Sequence, residues 1–587
     1  MSMPILFLII IPLLCAALIF CIAEKYRKYK EIFFIASVFF NLWAVCFYFS
    51  KNIFIYSAWA TFDFSFSVIM TKFAGLLLII TAFFALLTSV FTVSNMKDNP
   101  KGFLFNAAML IALSFVNGAV ITDSLIFLLI FIEALAIPFV MMILSGAGDN
   151  KKLALKAFTI TAAADLFLMM GIGIVYSMSK TMNISEISLS LASPLSVAAF
   201  VSMIIGAAGK LGVMPFHSWL PEASEKTPVP FMVFMATAAE KVLGIYIIFV
   251  ALKIFAVESG TPVTYILTGA AAAGAVIAAL LAGSQKSFKK MLIYTSISQG
   301  GFMMAAMLTA FPAAVAGAVF HLLAHTIYKS SLFFGAAIIE DGKAEAVSYK
   351  KNPYIFMCFI LAAASFIGVP FFAAFYSKEM IYEGALRAGA VWYALLVLVT
   401  FFCSAAVLNW FGKIFFNPEG KTLEYPVTSM IPAVTTALLC LFVGIFKNIP
   451  LTVIQSEIPL AVHGHADLFL IIVSLAALII ALVNFIAGYK KGGNGLGFVK
   501  PLLCFLKIDK LNENGNADPY NIALSVYDHF AEASFSFDKA LNRIYDGALV
   551  KSVLFCSEMI KKAHNGNLSR YLIWVLCGLA VIILFFV

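Results

Sequence analysis

The chain is 587 residues long, 63% hydrophobic and only 12% charged, with a mean hydropathy of +1.00, whereas an ordinary soluble domain is about half apolar and about 25% charged. That balance excludes a soluble globular enzyme and assigns the chain to a lipid bilayer. The net charge of +9 gathers in alternate loops and calls for no nucleic-acid partner.

Apolar runs long enough to cross a hydrocarbon core, about 20 residues, lie at 3–23, 31–49, 70–94, 103–122, 124–145, 153–176, 195–216, 229–252, 263–284, 290–310, 312–339, 355–382, 388–412, 429–446, 467–489 and 570–587, sixteen in all. The first run has no small-residue cleavage site and is followed at once by EKYRKYK, so it reads as a retained helix and not as a signal peptide. Alternate loops hold 23 Lys and Arg on one side, against Lys51, Lys180, Lys253, Arg387 and Lys447 on the other. By the positive-inside rule the N-terminus is expected outside and the segment 490–565 on the cytoplasmic face of the cell membrane.

Few ionisable residues interrupt these runs. Glu133 lies in LIFLLIFIEALAIPFV, Asp165 in AFTITAAADLFLMMG, Lys210 in VSMIIGAAGKLGVMP, Glu240 and Lys241 in MATAAEKVLGIYIIF, and Lys378 with Glu379 in GVPFFAAFYSKEM. In FHLLAHTIYKSSLFF, residues 320–334, His321, His325 and Lys329 stand four apart. At about 100° and about 1.5 Å per residue they share one helix face over about 12 Å. Each such group costs about 2.5–3.5 kcal/mol at a helix centre, so a set of them is expected to face one another and water. Three readings compete for the row: satisfied core histidines, a metal site, or proton exchange. A metal site is disfavoured because the third group is a lysine and no carboxylate shares the face. Histidine titrates near neutrality, and a buried lysine moves its proton affinity with burial and with the approach of a carboxylate, which favours a proton wire. Glu379 also reads as a helix-end cap, and Lys72, near the start of a run, as a snorkelling lysine.

Gly212 and Pro215 interrupt the seventh run just after Lys210, and Gly368 with Pro370 interrupt the twelfth before Lys378. Paired Gly/Pro-broken spans in two halves of a chain point to inverted repeats with ion sites at the breaks. The expected fold is all-α and polytopic: three N-terminal helices in 1–102, a first five-helix repeat in 103–255, a second, inverted one in 263–416, and two helices in 429–489. Nine cysteines with no CxxC pair give no iron–sulfur or zinc site in this chain. The cluster GGNGLG at 492–497 follows a membrane helix and not a strand, which favours a linker over a phosphate loop. It sits in a basic linker, 490–519, and in 520–562 Val526, Phe530, Ala533, Phe537, Leu541, Ile544, Ala548, Phe555 and Met559 recur at steps of about three or four residues among charged ones. That pattern predicts an amphipathic helix over 520–565, about 65 Å long at about 1.5 Å per residue, with a terminal anchor at 568–587.

Five stretches together resemble one family: KAFTITAAAD (156–165), GKLGVMPFHSWLPEASEKTPVPFMVFMAT (209–237), KKMLIYTSISQGGFM (289–303), HLLAHTIYKSSLFFGA (321–336) and GVPFFAAFYSKEMI (368–381). The family is that of the antiporter-like proton-pumping subunits of respiratory complex I, Mrp-type sodium/proton antiporters and energy-converting membrane-bound hydrogenases. The resemblance implies an ion-relay role for Glu133, Asp165, Lys210, Lys241, His321, His325, Lys329, Lys378 and Glu379. It also implies a chain without cofactors of its own, joined to other membrane subunits partly through the helix 520–565, and to peripheral redox subunits that carry iron–sulfur clusters and, in a hydrogenase, a nickel–iron centre. The layout is similar to the largest complex I antiporter-like subunit. Ala162 in place of an arginine, Ile132 in place of a tryptophan, Lys241 five residues before Tyr246, and a short lateral helix shift the resemblance towards the Ech-type hydrogenases. An Mrp-type antiporter subunit without redox coupling is the alternative.

Overall fold

The computed structural model describes residues 5–22, 24–49, 51, 53–58, 65–342, 346–416, 420–458, 468–490, 497 and 499–505, and beyond these scattered positions in 518–539 with 550–563, 566, 571–578 and 581. Two units form: 1–515 and 516–587.

In the first unit the helices run in order as α1 Phe7–Cys21, α2 Arg27–Tyr48, α3 Lys72–Asn95 and α4 Gly102–Ile121. Then come α5 Leu125–Leu144, α6 Lys151–Ser179, α7a Pro194–Leu211 with α7b Leu220–Lys226, and α8 Val229–Ile254. The second set is α9 Pro262–Ser284, α10 Phe288–Leu308, α11 Pro312–Asp341, α12a Pro353–Ile367 with α12b Ala373–Ala388, α13 Ala390–Phe415, α14 Val427–Ile445 and α15 Leu468–Lys490. Thirteen described helices are long and apolar enough to cross a membrane, and α1 and α12a are shorter apolar helices. The protein is a multi-pass membrane protein. The sixteenth apolar run is described only as a helical stretch at 571–578.

Local chemistry fixes the ends. Ser193 accepts from the Ser196 N–H while the Ser196 hydroxyl accepts from the Ser193 N–H, a reciprocal cap with Pro194 at the first helical position of α7a. Thr71 starts α3 and Ser287 starts α10 by accepting from the N–H groups of Ala74 and Lys290. The two predicted breaks are real: α7a ends on Gly212 at φ 59° and α12a on Gly368 at φ 90°, left-handed positions that glycine adopts without cost. The run read as 355–382 is therefore two helices.

A two-stranded hairpin, absent from the expected all-α elements, lies between α2 and α3. Strand β1, Ile53–Ala58, pairs antiparallel with β2, Ser65–Met70, in a register that sets Ile53 opposite Met70 and Ala58 opposite Ser65. It is anchored where the Asp123 N–H donates to the Ser67 carbonyl at 2.9 Å.

Helices α8, α10 and α11 are the most enclosed, each 94% buried along its apolar window, whereas α15 is 17% buried. These three helices also carry the buried Glu240, Lys241, His321, His325 and Lys329. In α8 the segment Met232–Ala239 is a π-helix, whose carbonyls are offered one residue further on than in an α-helix. Thr237 bridges this wide turn by donating its hydroxyl to the Met232 carbonyl at 2.7 Å, and the Thr237 carbonyl accepts from Thr326 of α11 at 3.3 Å.

The second unit contains a helix at Val550–Ala563, on which Phe555 and Met559 are exposed. Phe530, Phe537, Leu541 and Ile544, the expected apolar face of the lateral helix, lie outside the described residues.

A buried row of lysine, histidine and carboxylate groups

The first cluster depends on a close approach of α6 and α7a. A Cβ added at Gly206 would come within 2.6 Å of the Leu168 Cβ, and one at Gly209 would collide with Ala164, so small residues let the two backbones meet. The approach carries Asp165 to Lys210: Nζ lies 2.7 Å from Oδ2, with the side chains 4% and 3% exposed. The second carboxylate oxygen of Asp165 makes no hydrogen bond among the described residues. The resemblance gives both Glu133 and Asp165 a relay role beside Lys210. The bonded partner is Asp165. Glu133 falls on the exposed side of α5, a helix only half buried, and acts on Lys210 through its charge alone.

Glu240 and Lys241 follow the π-helix and are both buried. The Lys241 ammonium donates to the carbonyl of Leu211, the last residue of α7a. The cap already consumes two earlier carbonyls, since Gly212 N–H bonds to Gly209 and Val213 N–H to Ala208. Leu211 is left among the orphan acceptors at the negative end of the helix, where a cation is favoured. Gly300 of α10 makes room for the ammonium: a Cβ there would stand 2.9 Å from Lys241 Nζ and 3.0 Å from Val213.

On α11 each member of the predicted row faces a polar partner on α10 or α12b. Lys329 donates to the Leu292 carbonyl at 2.7 Å and to the Thr295 hydroxyl. His325 Nε2 lies 3.0 Å from the Ser296 hydroxyl, and its Nδ1 has no partner among the described residues. His321 is held on both ring nitrogens, Nε2 by the Gln299 side-chain oxygen at 2.9 Å and Nδ1 by the Ser377 hydroxyl at 2.8 Å. One residue further, Lys378 donates to the Phe366 carbonyl at 2.6 Å, in the last turn of α12a. The arrangement repeats that of Lys241 and Leu211. Glu379 is half-buried and sits seven positions into Ala373–Ala388, so it is no helix-end cap.

The expected residues other than Glu133 and the half-buried Glu379 thus fall along one buried succession. Glu240 lies within the fields of Lys210 and Lys241, His325 within those of Lys241, Lys329 and His321, and His321 within that of Lys378. Sequence reading left Glu240, Thr295, Ser296, Gln299 and Ser377 out of the site. For Thr295, Ser296 and Gln299 the available signal was the cluster TSISQ inside an apolar span, because uncompensated polar groups in hydrocarbon are costly.

Residues 122–404 match the sequence profile of the family described as NADH:quinone oxidoreductase/Mrp antiporter, transmembrane. The chain is 29% identical over 429 residues to NADH-quinone oxidoreductase subunit N of Desulforudis audaxviator, an alignment covering 67% of this chain and 84% of that protein. Its fold is similar to a chain in the Mrp complex from Dietzia sp. DQ12-45-1b, with a TM-score of 0.76 at 20% identity, covering 98% of this chain and 62% of that one. It is also similar to a chain of the membrane-bound sulfane sulfur reductase, an archaeal respiratory membrane complex, with a TM-score of 0.69 at 21% identity over 77% of this chain and 96% of that one. At those identities the likeness is one of fold.

Proposed function

Because this chain belongs, through residues 122–404, to the NADH:quinone oxidoreductase/Mrp antiporter transmembrane family, we propose that it translocates protons, or sodium ions, as the antiporter-like membrane subunit of a redox-driven pump. The observation that carries this reading is the succession of buried ionisable groups from Asp165 and Lys210 to Lys378, laid through the most enclosed helices.

A buried amine keeps its proton beside a carboxylate and yields it when the two separate, so small helix movements convert into proton steps. In the proposed route Lys210 is the proton store of the first half, with Asp165 as its counter-charge and Glu133 acting from the protein surface. Protons pass by Glu240 and Lys241 to Lys329, His325 and His321, directly or through water, and reach Lys378, where Glu379 gates release. The two halves, 103–255 and 263–416, act as inverted half-channels. The chain sits in the cytoplasmic membrane with its N-terminus outside and residues 490–565 on the cytoplasmic side, where 520–565 braces neighbouring membrane subunits.

Peripheral partners carry the iron–sulfur clusters and, in an Ech-type hydrogenase, a nickel–iron centre. The family description covers Mrp antiporters as well, so the alternative is an antiporter module without redox coupling. The companion subunits separate the two: a nickel–iron or quinone-reducing subunit in the purified assembly fits the first reading, and its lack fits the second.

The test is Lys210→Gln and Lys378→Gln, which keep length and polarity and remove the charge. Pumping by the assembled complex in sealed vesicles should fall at least about tenfold in each, a loss of about 1.4 kcal/mol or more. Normal pumping in both would end the relay reading.

A further inference from the structure

Cys403 lies within α13, a helix that contributes none of the relay groups, yet its thiol belongs to a series of hydrogen bonds that starts at a backbone carbonyl and ends on His321. Helices α9 and α10 meet closely at Gly301, where a Cβ would stand 3.0 Å from the Ala271 carbonyl oxygen and 3.0 Å from the Ala275 Cβ. One turn earlier on α10, Ser298 donates its hydroxyl to the Ala275 carbonyl at 2.7 Å. The Cys403 thiol donates to the Ser298 oxygen at 3.3 Å. The Gln299 amide nitrogen makes no full hydrogen bond among the described residues, and this side chain interacts with the sulfur of Cys403, a weak acceptor. Its Oε1 lies 2.9 Å from His321 Nε2, while the Ser377 hydroxyl lies 2.8 Å from Nδ1. Ser298, Gln299, His321, Ser377 and Cys403 are each 1% exposed or less.

The series has one direction. A backbone carbonyl only accepts, so the single hydroxyl proton of Ser298 goes to Ala275, and the Ser298 oxygen is left to accept the single thiol proton of Cys403. The sulfur then presents lone pairs to Gln299, which sets the amide N–H groups on that side and the amide oxygen towards His321. Reversing the amide would face its oxygen with those lone pairs. An oxygen against Nε2 calls for a proton there, so the neutral ring is the Nε2–H tautomer and Nδ1 is its basic nitrogen. The Tyr328 hydroxyl, 3.5 Å from Nε2, is the more distant neighbour of the same nitrogen.

We infer that Ser298, Cys403 and Gln299 are positioning residues that keep one proton on His321 Nε2 and reserve Nδ1 for ion traffic, an assignment that rests on the relay reading above. In the resting ring Nδ1 accepts from the Ser377 hydroxyl. When a relay proton reaches Nδ1, an N–H bond forms there, the ring becomes an imidazolium, and the Ser377 hydroxyl turns to the Ala374 carbonyl, 3.2 Å away. Loss of that proton from Nδ1 breaks the same bond and restores the neutral ring, with Nε2–H retained throughout. Exchange is thereby confined to the nitrogen that faces Ser377, the residue before Lys378. A neutral ring protonated on Nδ1 instead has no lone pair on that side and cannot take up the relay proton there.

The test uses the full chain in its complex, with isotope-labelled histidine for nitrogen NMR of the rings, the His321 signals being identified by their loss in His321→Gln. Ion pumping by the same complex is measured in sealed vesicles. The wild-type ring should show a protonated Nε2 and a bare Nδ1. Cys403→Ala removes the sulfur that orients the amide, so it should raise the share of the Nδ1–H form and lower pumping about fivefold, the effect of one hydrogen bond. Cys403→Ser keeps a donor and acceptor in the series and should restore both. Packing alone predicts the opposite order, because a buried cysteine behaves as a small hydrophobe for which alanine is the milder replacement. A wild-type ring protonated on Nδ1, or an unchanged tautomer in assembled Cys403→Ala, would overturn the assignment, and if that variant does not assemble, an unchanged tautomer in Ser298→Ala would do so. The ring signals are read without transport, so normal pumping in Lys210→Gln and Lys378→Gln would end the relay reading and leave the tautomer result standing.

Discussion

The ammonium of Lys241 caps the carbonyl of Leu211, so the side chain expected to pass a charge between half-channels is docked on the broken end of α7a. Lys378 repeats the relationship with Phe366 on α12a. Each lysine is held by a helix end, a partner that weakens with a shift of less than a turn.

Gly300→Ala tests the first of these docks without touching a titrating group. The added methyl would stand 2.9 Å from Lys241 Nζ, and losing a helix-end interaction worth up to about 2 kcal/mol should slow ion transport roughly tenfold. The variant should still insert and assemble. Unchanged transport in sealed vesicles would mean that the Lys241 position does not matter.

Lys210→Gln alone leaves Asp165 buried without its counter-charge, which costs about 3–5 kcal/mol when a buried pair is broken on one side. Lys210→Gln with Asp165→Asn should recover most of that stability and none of the transport. Glu133→Gln, on the exposed side of α5, should leave thermal unfolding of the purified protein where it was. If the double variant pumped as well as it folded, the pair would be a structural tie only.

The bond between Ser377 and His321 Nδ1, 2.8 Å long, joins α11 to α12b. Ser377→Ala removes about 1 kcal/mol of hydrogen bonding and should lower transport about fivefold by freeing the ring to turn. Thr400→Ala, which deletes the 2.6 Å bond between Tyr382 and Thr400, should cost similar stability and leave transport intact. Equal transport in the two variants would remove Ser377 from the route.

Orientation can be read with a native thiol. Cys504 is exposed in Val499–Phe505, within the basic linker 490–519. In a background lacking the other cysteines, a membrane-impermeant maleimide should label it from the cytoplasmic side of oriented vesicles and not from the other. Labelling from outside alone would invert the proposed topology.

The membrane helices and both breaks were legible because span length and glycine or proline interruption are properties of a short stretch of chain. The His321, His325 and Lys329 face was legible for the same reason, as spacing along one helix. What joined Lys210 to Asp165 and not to Glu133 is the contact of two helices through Gly206 and Gly209, which depends on rotation about the helix axes and is not written in either helix alone. Glu240 stood among the ionisable residues inside the spans, but the resemblance gave it no relay position. The hairpin at 53–70 was missed because its strands are six residues each, too short to stand out beside runs of membrane length.

The π-helix at Met232–Ala239 has a bearing on which length changes this chain can tolerate. A segment whose carbonyls reach one residue further than in an α-helix behaves as though it holds a surplus residue. Removing one residue from 232–239 should let the ladder close in the tighter spacing while Glu240 and Lys241 keep their facing. The same deletion a few positions later, inside Glu240–Ile254, turns everything beyond it by about 100°. Indel tolerance along α8 is thus expected to be concentrated in one short window, directly before the two residues whose rotational phase the helix must preserve.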